Sequence, residues 1–424
     1  MLKFEIFKNK TIINGFLFSL FSFFNQGISF FLILLLANYI APAEYGKLSL
    51  YNTIIMFLGY FISLSTQGYI SVSFFQRRDQ FKTDFTIINI ITFTITLVCL
   101  LILWAFNSSL VSLLNFNSIL LYISILITAT NLIYNIFLDY LRIKEKIYHY
   151  GFISCSFSVL NFALSLLLVI NFHYGWQGRV YAQFICCIFF VLLAISYFLR
   201  NRLYSYKSIT YSKILYIIQW GLPLIPHLAS NWLKQGCDRY IINNFYSMDE
   251  VGIFSFALNY INIIIMVGVA FNSSNSVSIY KILSSNSINR EQELNKNTKN
   301  IFFLYLIASI SVIIIGSILI PIILPEYKKA IYYIIILGIY GFLQCLYFLY
   351  CNYLFYFNMN KDIMYLTFST SILHLCLSFI LTRYSLYLTS IIYIISQSII
   401  VFLLYKKSKK LISQKVKQTN EIIN

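Results

Sequence analysis

The sequence predicts an all-α integral membrane protein with about twelve transmembrane helices. Hydrophobic residues make up 59% of the chain and charged residues only 11%, which is too little charge to cover a solvated surface. Apolar runs recur from Thr11 to Tyr405, and at about 20 residues each is long enough to cross a hydrocarbon layer. Runs such as Phe30–Leu36 and Ile331–Leu337 lack the polar and apolar alternation of membrane barrel strands, so helices remain.

The apolar runs place twelve predicted spans, numbered in chain order. They lie near residues 12–37, 47–72, 85–106, 117–139, 151–172, 178–199, 214–243, 251–278, 300–320, 330–356, 363–382 and 387–405. The first run is too long for a signal-peptide core and no small-x-small cleavage site follows it, so we interpret it as span 1. Seven of the eight cysteines lie inside apolar runs without a C-x-x-C pair, which favours packed small hydrophobes over disulfides or a metal site.

Basic residues are distributed unevenly between the loops on the two sides. The loops on the side of both termini, with the termini themselves, hold 24 of the 31 Lys and Arg residues, and the opposite loops hold five. The positive-inside rule therefore predicts that both ends lie in the cytoplasm. Because topology accounts for the formal charge of +17, a nucleic-acid partner is not predicted.

A short internal repeat divides the predicted spans. Pro42-Ala-Glu-Tyr-Gly-Lys-Leu-Ser49 follows span 1 and Met248-Asp-Glu-Val-Gly-Ile-Phe-Ser255 follows span 7, so Glu, Gly and Ser match at an offset of 206 residues. Such duplication is common in transporters. It predicts a six-helix lobe over residues 1–205, a second over residues 206–405, and a basic cytoplasmic tail over residues 406–424.

Span 7 carries the richest set of intramembrane polar residues, which are costly in lipid and mark functional sites. Four of them share one helical face, at i, i+4, i+7 and i+11: His227, Asn231, Lys234 and Asp238. Gln235 and Arg239 lie in a second row beside them. The pattern predicts a polar stripe that faces a water-filled cavity. The alternative is that Lys234 and Asp238, four residues apart, neutralise each other and have no further role. Pro223 and Pro226 predict a kink, either a moving gate or a static bend.

Other spans carry fewer polar groups. Asn25 and Gln26 at mid-depth of span 1 are candidate cavity residues, with helix packing as the alternative. Asp139 near the cytoplasmic end of span 4 and His374 in span 11 join Asp238 as candidate sites for a coupled proton or ion. We predict no metal site, no cofactor and no catalytic residue.

Five short segments also carry a family resemblance. The loop Ala41–Ser49, the stretch Gly221–Pro226 with Asp238–Ile242 and Val251–Ala257 after it, and the loop Leu141–Tyr150 resemble those of Wzx-type polysaccharide flippases. The resemblance implies the fold of the multidrug/oligosaccharidyl-lipid/polysaccharide (MOP) exporters, two six-helix lobes around a central cavity, in the bacterial inner membrane. It further implies that an undecaprenyl-pyrophosphate-linked oligosaccharide, such as an O-antigen unit, crosses to the outer leaflet, with glycan polymerase and chain-length proteins as partners.

That implied substrate gives the basic residues of span 7 a role. Lys234 and Arg239 are predicted to meet the pyrophosphate as it crosses. Alternating access of two lobes, driven by uptake of H⁺ or Na⁺, is the predicted mechanism.

Two alternatives remain open on sequence alone. Exporters of drugs or other lipids share the implied fold. A membrane glycosyltransferase or glycan polymerase is disfavoured, because the outer loops are short and hold no acidic cluster beyond the adjacent Asp249 and Glu250. No Gly-rich nucleotide loop is present, so ATP is not predicted as the direct energy source. We therefore predict a transporter rather than an enzyme.

Overall fold

Helices make up almost all of the chain in the computed structural model, which describes residues 10–285 and 289–423 and shows no strand among them. The longer helices are Lys10–Leu36, Pro42–Ser63, Phe81–Ala105, Ser118–Ile143, Ile147–Leu166, Gly175–Arg200, Met248–Ser284, Arg290–Ile323, Ala330–Tyr356, Asn360–Leu381 and Leu386–Ile423. The shorter ones are Tyr69–Gln76, Asn107–Leu114, Tyr211–Gly221, Ile225–Asn231 and Cys237–Phe245. The all-α prediction is confirmed.

Ten of the described helices are long and apolar enough to cross a membrane, and a bent pair at span 2 adds an eleventh. The remaining predicted span, span 7, is helical from Tyr211 to Phe245 but is broken into pieces too short to count. Large apolar side chains on the membrane helices are exposed at the protein surface, with Phe93 64% and Ile322 71% exposed. A multi-pass membrane protein places such side chains in hydrocarbon rather than in water.

Span 7 is interrupted twice. A 3₁₀ turn over Leu222–Leu224 separates its first two helical pieces at Pro223, and Pro226 is the second residue of the next piece, Ile225–Asn231. Proline cannot donate a backbone hydrogen bond, which accounts for the first interruption. A π-helical turn over Trp232–Gly236, which the sequence pattern did not predict, forms the second. A gating role for the two prolines stays a prediction.

Span 2 is bent, although the sequence predicts a continuous helix over residues 47–72. The helix Pro42–Ser63 ends at Leu64 and Ser65, both in the left-handed region with φ of 44° and 55°, and the chain resumes at 58° to it. Neither residue is a glycine, so local preference does not explain the bend. Packing does, because a Cβ on Gly221 of span 7 would lie 2.2 Å from the Leu64 carbonyl oxygen. The glycine lets the two backbones touch.

The chain forms two compact units. Unit 1 holds the described residues up to Ile40 together with Leu50–Trp232, and unit 2 holds Ala41–Ser49 together with the described residues from Leu233 onward. Residues 206–232, predicted for the second lobe, thus pack within unit 1. The division into six-helix lobes and a tail stays a prediction.

Aliphatic and aromatic side chains together form the interior of unit 1. Its main cluster joins residues from spans 2, 3, 4, 6 and 7, and Phe85 contacts Phe198 edge-on at 4.9 Å. In unit 2, span 10 is central and packs against spans 8, 9 and 12. Tyr45, at the start of span 2, lies in unit 2 between Phe256 and Tyr327 and accepts a hydrogen bond from Asn259.

The two copies of the sequence repeat contact each other inside unit 2. Each copy begins a helix, with Pro42 and Met248 as first residues and acidic side chains in the first turn. Gly46 and Gly252 occupy equivalent positions, and a Cβ on Gly252 would lie 1.8 Å from the Pro42 carbonyl oxygen. The repeated glycine is therefore needed where the first turns of spans 2 and 8 touch.

This contact predicts the effect of one added methyl group. Gly252→Ala should lower the free energy of unfolding by about 1–3 kcal/mol, since a backbone must move to admit the Cβ. Gly27→Ala is the matched control, because a Cβ there meets nothing within 4 Å. Thermal unfolding of the two purified variants measures the difference, and equal melting temperatures would contradict the contact.

Candidate functional site

A fully buried carboxylate, Asp238, lies at the start of the last helical piece of span 7 in unit 2. Its Oδ2 lies 2.9 Å from Nε2 of His374 in span 11. The Ser378 hydroxyl, one helical turn beyond His374, donates to Oδ1 at 2.6 Å. His374 and Ser378 are fully buried as well. We call these three residues the Asp238–His374 site.

Hydroxyl groups from span 12 extend the site. The other ring nitrogen of His374, Nδ1, lies 3.0 Å from the Ser396 hydroxyl. Thr382 connects Ser378 to Thr389 through contacts of 3.2 and 2.9 Å. These polar groups are all buried, so the network satisfies its members with little help from water.

Helical spacing accounts for this convergence. His374 and Ser378 are four residues apart and therefore share a face of span 11. In span 12, Thr389, Tyr393 and Ser396 recur at i, i+4 and i+7, so they also share one face. Tyr393 covers the His374 ring edge-on at 4.6 Å, and its hydroxyl donates to the Lys234 carbonyl oxygen at 2.8 Å. The π turn at Trp232–Gly236 thus gains a partner outside its own helix.

A buried carboxylate beside an imidazole is the kind of group that carries protons in transporters. A carboxylate and an imidazole 2.9 Å apart share one proton as a neutral pair, or separate it as an ion pair. Both arrangements are internally compensated, which makes either tolerable in a low-dielectric interior. Among the described residues, no group of three or more His, Cys, Asp or Glu side chains is placed to hold a metal ion.

The predicted stripe on span 7 is not one uniform face. Asp238 is buried, Lys234 is half-buried and Asn231 is exposed. The π turn between them is wider than an α-helical turn, so residues that share a face at α-helical spacing no longer do so here. Asp238 bonds to span 11, and no Lys234–Asp238 ion pair is formed. His227 lies in the helix, but its side chain is outside the part that the structure describes.

The remaining candidate residues lie in several environments. Arg239 is 8% exposed and donates to the Ser255 hydroxyl and to the Gln235 carbonyl oxygen. Gln26 is exposed and bonds to Ser22, whereas Asn25 is half-buried with an unpartnered Oδ1. Asp139 pairs with Arg142 in unit 1 at 2.7 Å. The structure therefore brings two of the three ion candidates together, Asp238 and His374, and leaves Asp139 apart.

Sequence reasoning passed over two features. The hydroxyl face of span 12 was detectable, because Thr389, Tyr393 and Ser396 have the same spacing that selected other faces. Asp84 was also passed over. It is 1% exposed in unit 1 and accepts a hydrogen bond from Ser73 at 2.7 Å. It directly precedes the predicted start of span 3. A carboxylate is ordinary at the end of a membrane span, so the sequence did not single it out.

The chain is similar to known proteins mainly in fold. No protein-family model matches it. "Lsg locus putative protein 1" of Haemophilus influenzae is 26% identical over 348 residues, covering 79% of this chain and 82% of that protein. An inward-facing multidrug resistance MATE family transporter of the MOP superfamily has a TM-score of 0.73 at 13% identity, covering 94% and 96% of the two chains.

An outward-facing MATE family transporter is similar too, with a TM-score of 0.62 at 14% identity and coverage of 95% and 96%. The chain therefore has the fold of MATE transporters of the MOP superfamily.

Burial of the Asp238–His374 site predicts a large stability effect. Asp238→Ala should lower the free energy of unfolding by about 3–5 kcal/mol, because it leaves Nε2 of the buried His374 and the Ser378 hydroxyl without their carboxylate partner. Asp362→Ala is the matched control, since the Asp362–Lys407 pair is partly exposed and should contribute at most about 1 kcal/mol. Thermal unfolding in detergent checks both values, and equal losses would contradict a buried pair.

Proposed function

We propose that this protein is a flippase that moves a lipid-linked oligosaccharide from the cytoplasmic to the outer leaflet of a bacterial inner membrane. The observation that carries the proposal is the Asp238–His374 site inside a chain with a MOP transporter fold. A buried ionisable pair is costly in a membrane, and transporters use such pairs to couple ion movement to a change of conformation. The Wzx-like segments supply the substrate class, an undecaprenyl-pyrophosphate-linked glycan.

Lys234 is the best candidate for contact with the pyrophosphate. It is half-buried in span 7, and none of the ion pairs formed by the described residues includes it. Arg239 is less suited, because its buried guanidinium already bonds to Ser255 and Gln235. Of the two basic residues, Lys234 is thus the one whose charged group remains available to bind the pyrophosphate.

The Asp238–His374 site is the proposed coupling site. A cation that enters from outside gains about 2.3 kcal/mol per charge for each 100 mV of membrane potential. Its arrival would change the bonds that tie span 7 to spans 11 and 12. Because Tyr393 also bonds to the carbonyl oxygen of Lys234, the coupling site lies next to the proposed pyrophosphate contact.

Drug export is the second candidate function, since the structurally similar proteins include multidrug resistance transporters. The two functions differ in what a deletion removes. A clean deletion in a strain without a redundant flippase should abolish the surface glycan if the first proposal holds. Normal surface glycan with increased drug sensitivity would instead favour drug export.

Charge removal at Lys234 tests the pyrophosphate contact. Lys234→Ala should lower glycan export about tenfold or more, since a charge-assisted hydrogen bond is worth about 1.5–3 kcal/mol. Lys234→Arg should retain most of the export. The exposed Lys47→Ala is the control for loss of a lysine elsewhere in unit 2. Export comparable to that of the unaltered protein in Lys234→Ala would remove this contact.

Neutralising the carboxylate tests the coupling. Asp238→Asn keeps the size of the side chain but cannot bind or release a proton, so it should abolish transport driven by an ion gradient. Proteoliposomes with an imposed H⁺ or Na⁺ gradient measure this effect and identify the ion. Gradient-driven transport that persists in Asp238→Asn would place the coupling elsewhere.

A further inference from the structure

A cavity of about 430 Å³ opens in unit 1 beside the break in span 2. All the residues that line it belong to unit 1, and they come from spans 2, 4, 5 and 7. Its volume lies within the range of about 300–1,000 Å³ that is usual for small-ligand sites. The polar side chains on its wall are Ser65, Gln67, Asn135, Asp139 and Arg142.

The break in span 2 leaves polar groups without partners at this cavity. The Ser65 hydroxyl and the Oε1 atom of Gln67 are buried and have no hydrogen-bond partner, although both residues line the cavity. Ser65 as a whole is only 4% exposed. A buried polar atom without a partner costs about 1–3 kcal/mol. Both atoms are closed to water in the structure, so a ligand in the cavity reaches them only when these side chains turn toward it.

The charges on the wall select a neutral ligand. Asp139 and Arg142 pair at 2.7 Å, so the carboxylate and the guanidinium compensate each other. The other polar groups are amides and hydroxyls, which both donate and accept hydrogen bonds. Neither a cation nor an anion finds an excess of the opposite charge here, whereas a compound rich in hydroxyl groups finds both kinds of partner.

The remaining wall suits the apolar faces of a sugar ring. Tyr150 contributes an aromatic ring, and Leu138, Leu224 and Leu228 contribute aliphatic surface. We propose that this cavity is a saccharide subsite, which binds a neutral sugar unit of the transported glycan. This inference rests on the proposed flippase function and adds to it a place, in unit 1, where the glycan itself is recognised.

Tryptophan fluorescence offers a direct measurement of binding. Trp220 packs on Gly68 at the edge of the cavity, since a Cβ on that glycine would lie 3.2 Å from the indole. The probe is the strain's own oligosaccharide, released from its lipid carrier by mild acid and added to the purified full-length protein. We expect a saturable change in fluorescence that disappears in Trp220→Phe.

Two variants test whether the fluorescence change comes from binding in the cavity. Gln67→Ala and Asn135→Ala should each weaken oligosaccharide binding about tenfold and reduce glycan export in cells. Asn89→Ala is the matched control, because its amide bonds only to its own helix at Phe85 in the same unit. Melting temperatures identify any variant that fails to fold. The intact lipid-linked glycan in nanodiscs should compete with the released sugar.

The outcomes separate this inference from the proposed function. Export by the unaltered protein together with no oligosaccharide binding, or with equal binding in all three alanine variants, would overturn the subsite and leave the flippase intact. A fluorescence response to NaCl but not to KCl or sugar would make the cavity a cation site and also overturn it. Failure of the flippase itself would appear separately, as normal surface glycan in the deletion strain.

Discussion

The structure depends on one constraint, that backbone polar groups inside hydrocarbon must find partners within the protein. Unbroken helices meet it along most spans. The two broken spans meet it by packing together in unit 1, where Gly221 of span 7 touches the Leu64 carbonyl oxygen of span 2 and Trp232 donates to the carbonyl oxygen of Thr53. Irregular backbone is thus kept where protein covers it. The cavity lies beside the same break, and Ser65 and Gln67 from the broken stretch form part of its wall.

Polar side chains follow the same logic in unit 2. Asp238 is accommodated at zero exposure because His374 and Ser378 bond to its two oxygens and because span 12 bonds to them in turn. The network connects the last piece of span 7 to spans 11 and 12. A change in its protonation would therefore alter hydrogen bonds that involve all three helices. Lys234 lies at the π turn next to this network, where Tyr393 bonds to its carbonyl oxygen, so a change in the network acts on the backbone that carries the lysine.

The short sequence repeat forms a structural contact between its two copies. Glu-x-Gly-x-x-Ser occurs twice in the sequence, and its two glycines meet at the first turns of spans 2 and 8. The contact also explains why residues 41–49 belong to unit 2 although the rest of span 2 belongs to unit 1. The boundary of the compact units consequently falls inside spans 2 and 7.

Composition and periodicity alone determined the helical class, the positions of the spans and most polar residues of the Asp238–His374 site, because apolar length and charge are properties of the chain itself. The pairing of Asp238 with His374, 136 residues later, could not be predicted, since it depends on which helices become neighbours. Helix counting also failed at Trp232–Gly236, where one π turn changed the faces of Lys234 and Asp238, and at Leu64–Ser65, where no glycine or proline marks the bend. At both places the backbone geometry is set by tertiary packing, which local sequence does not encode.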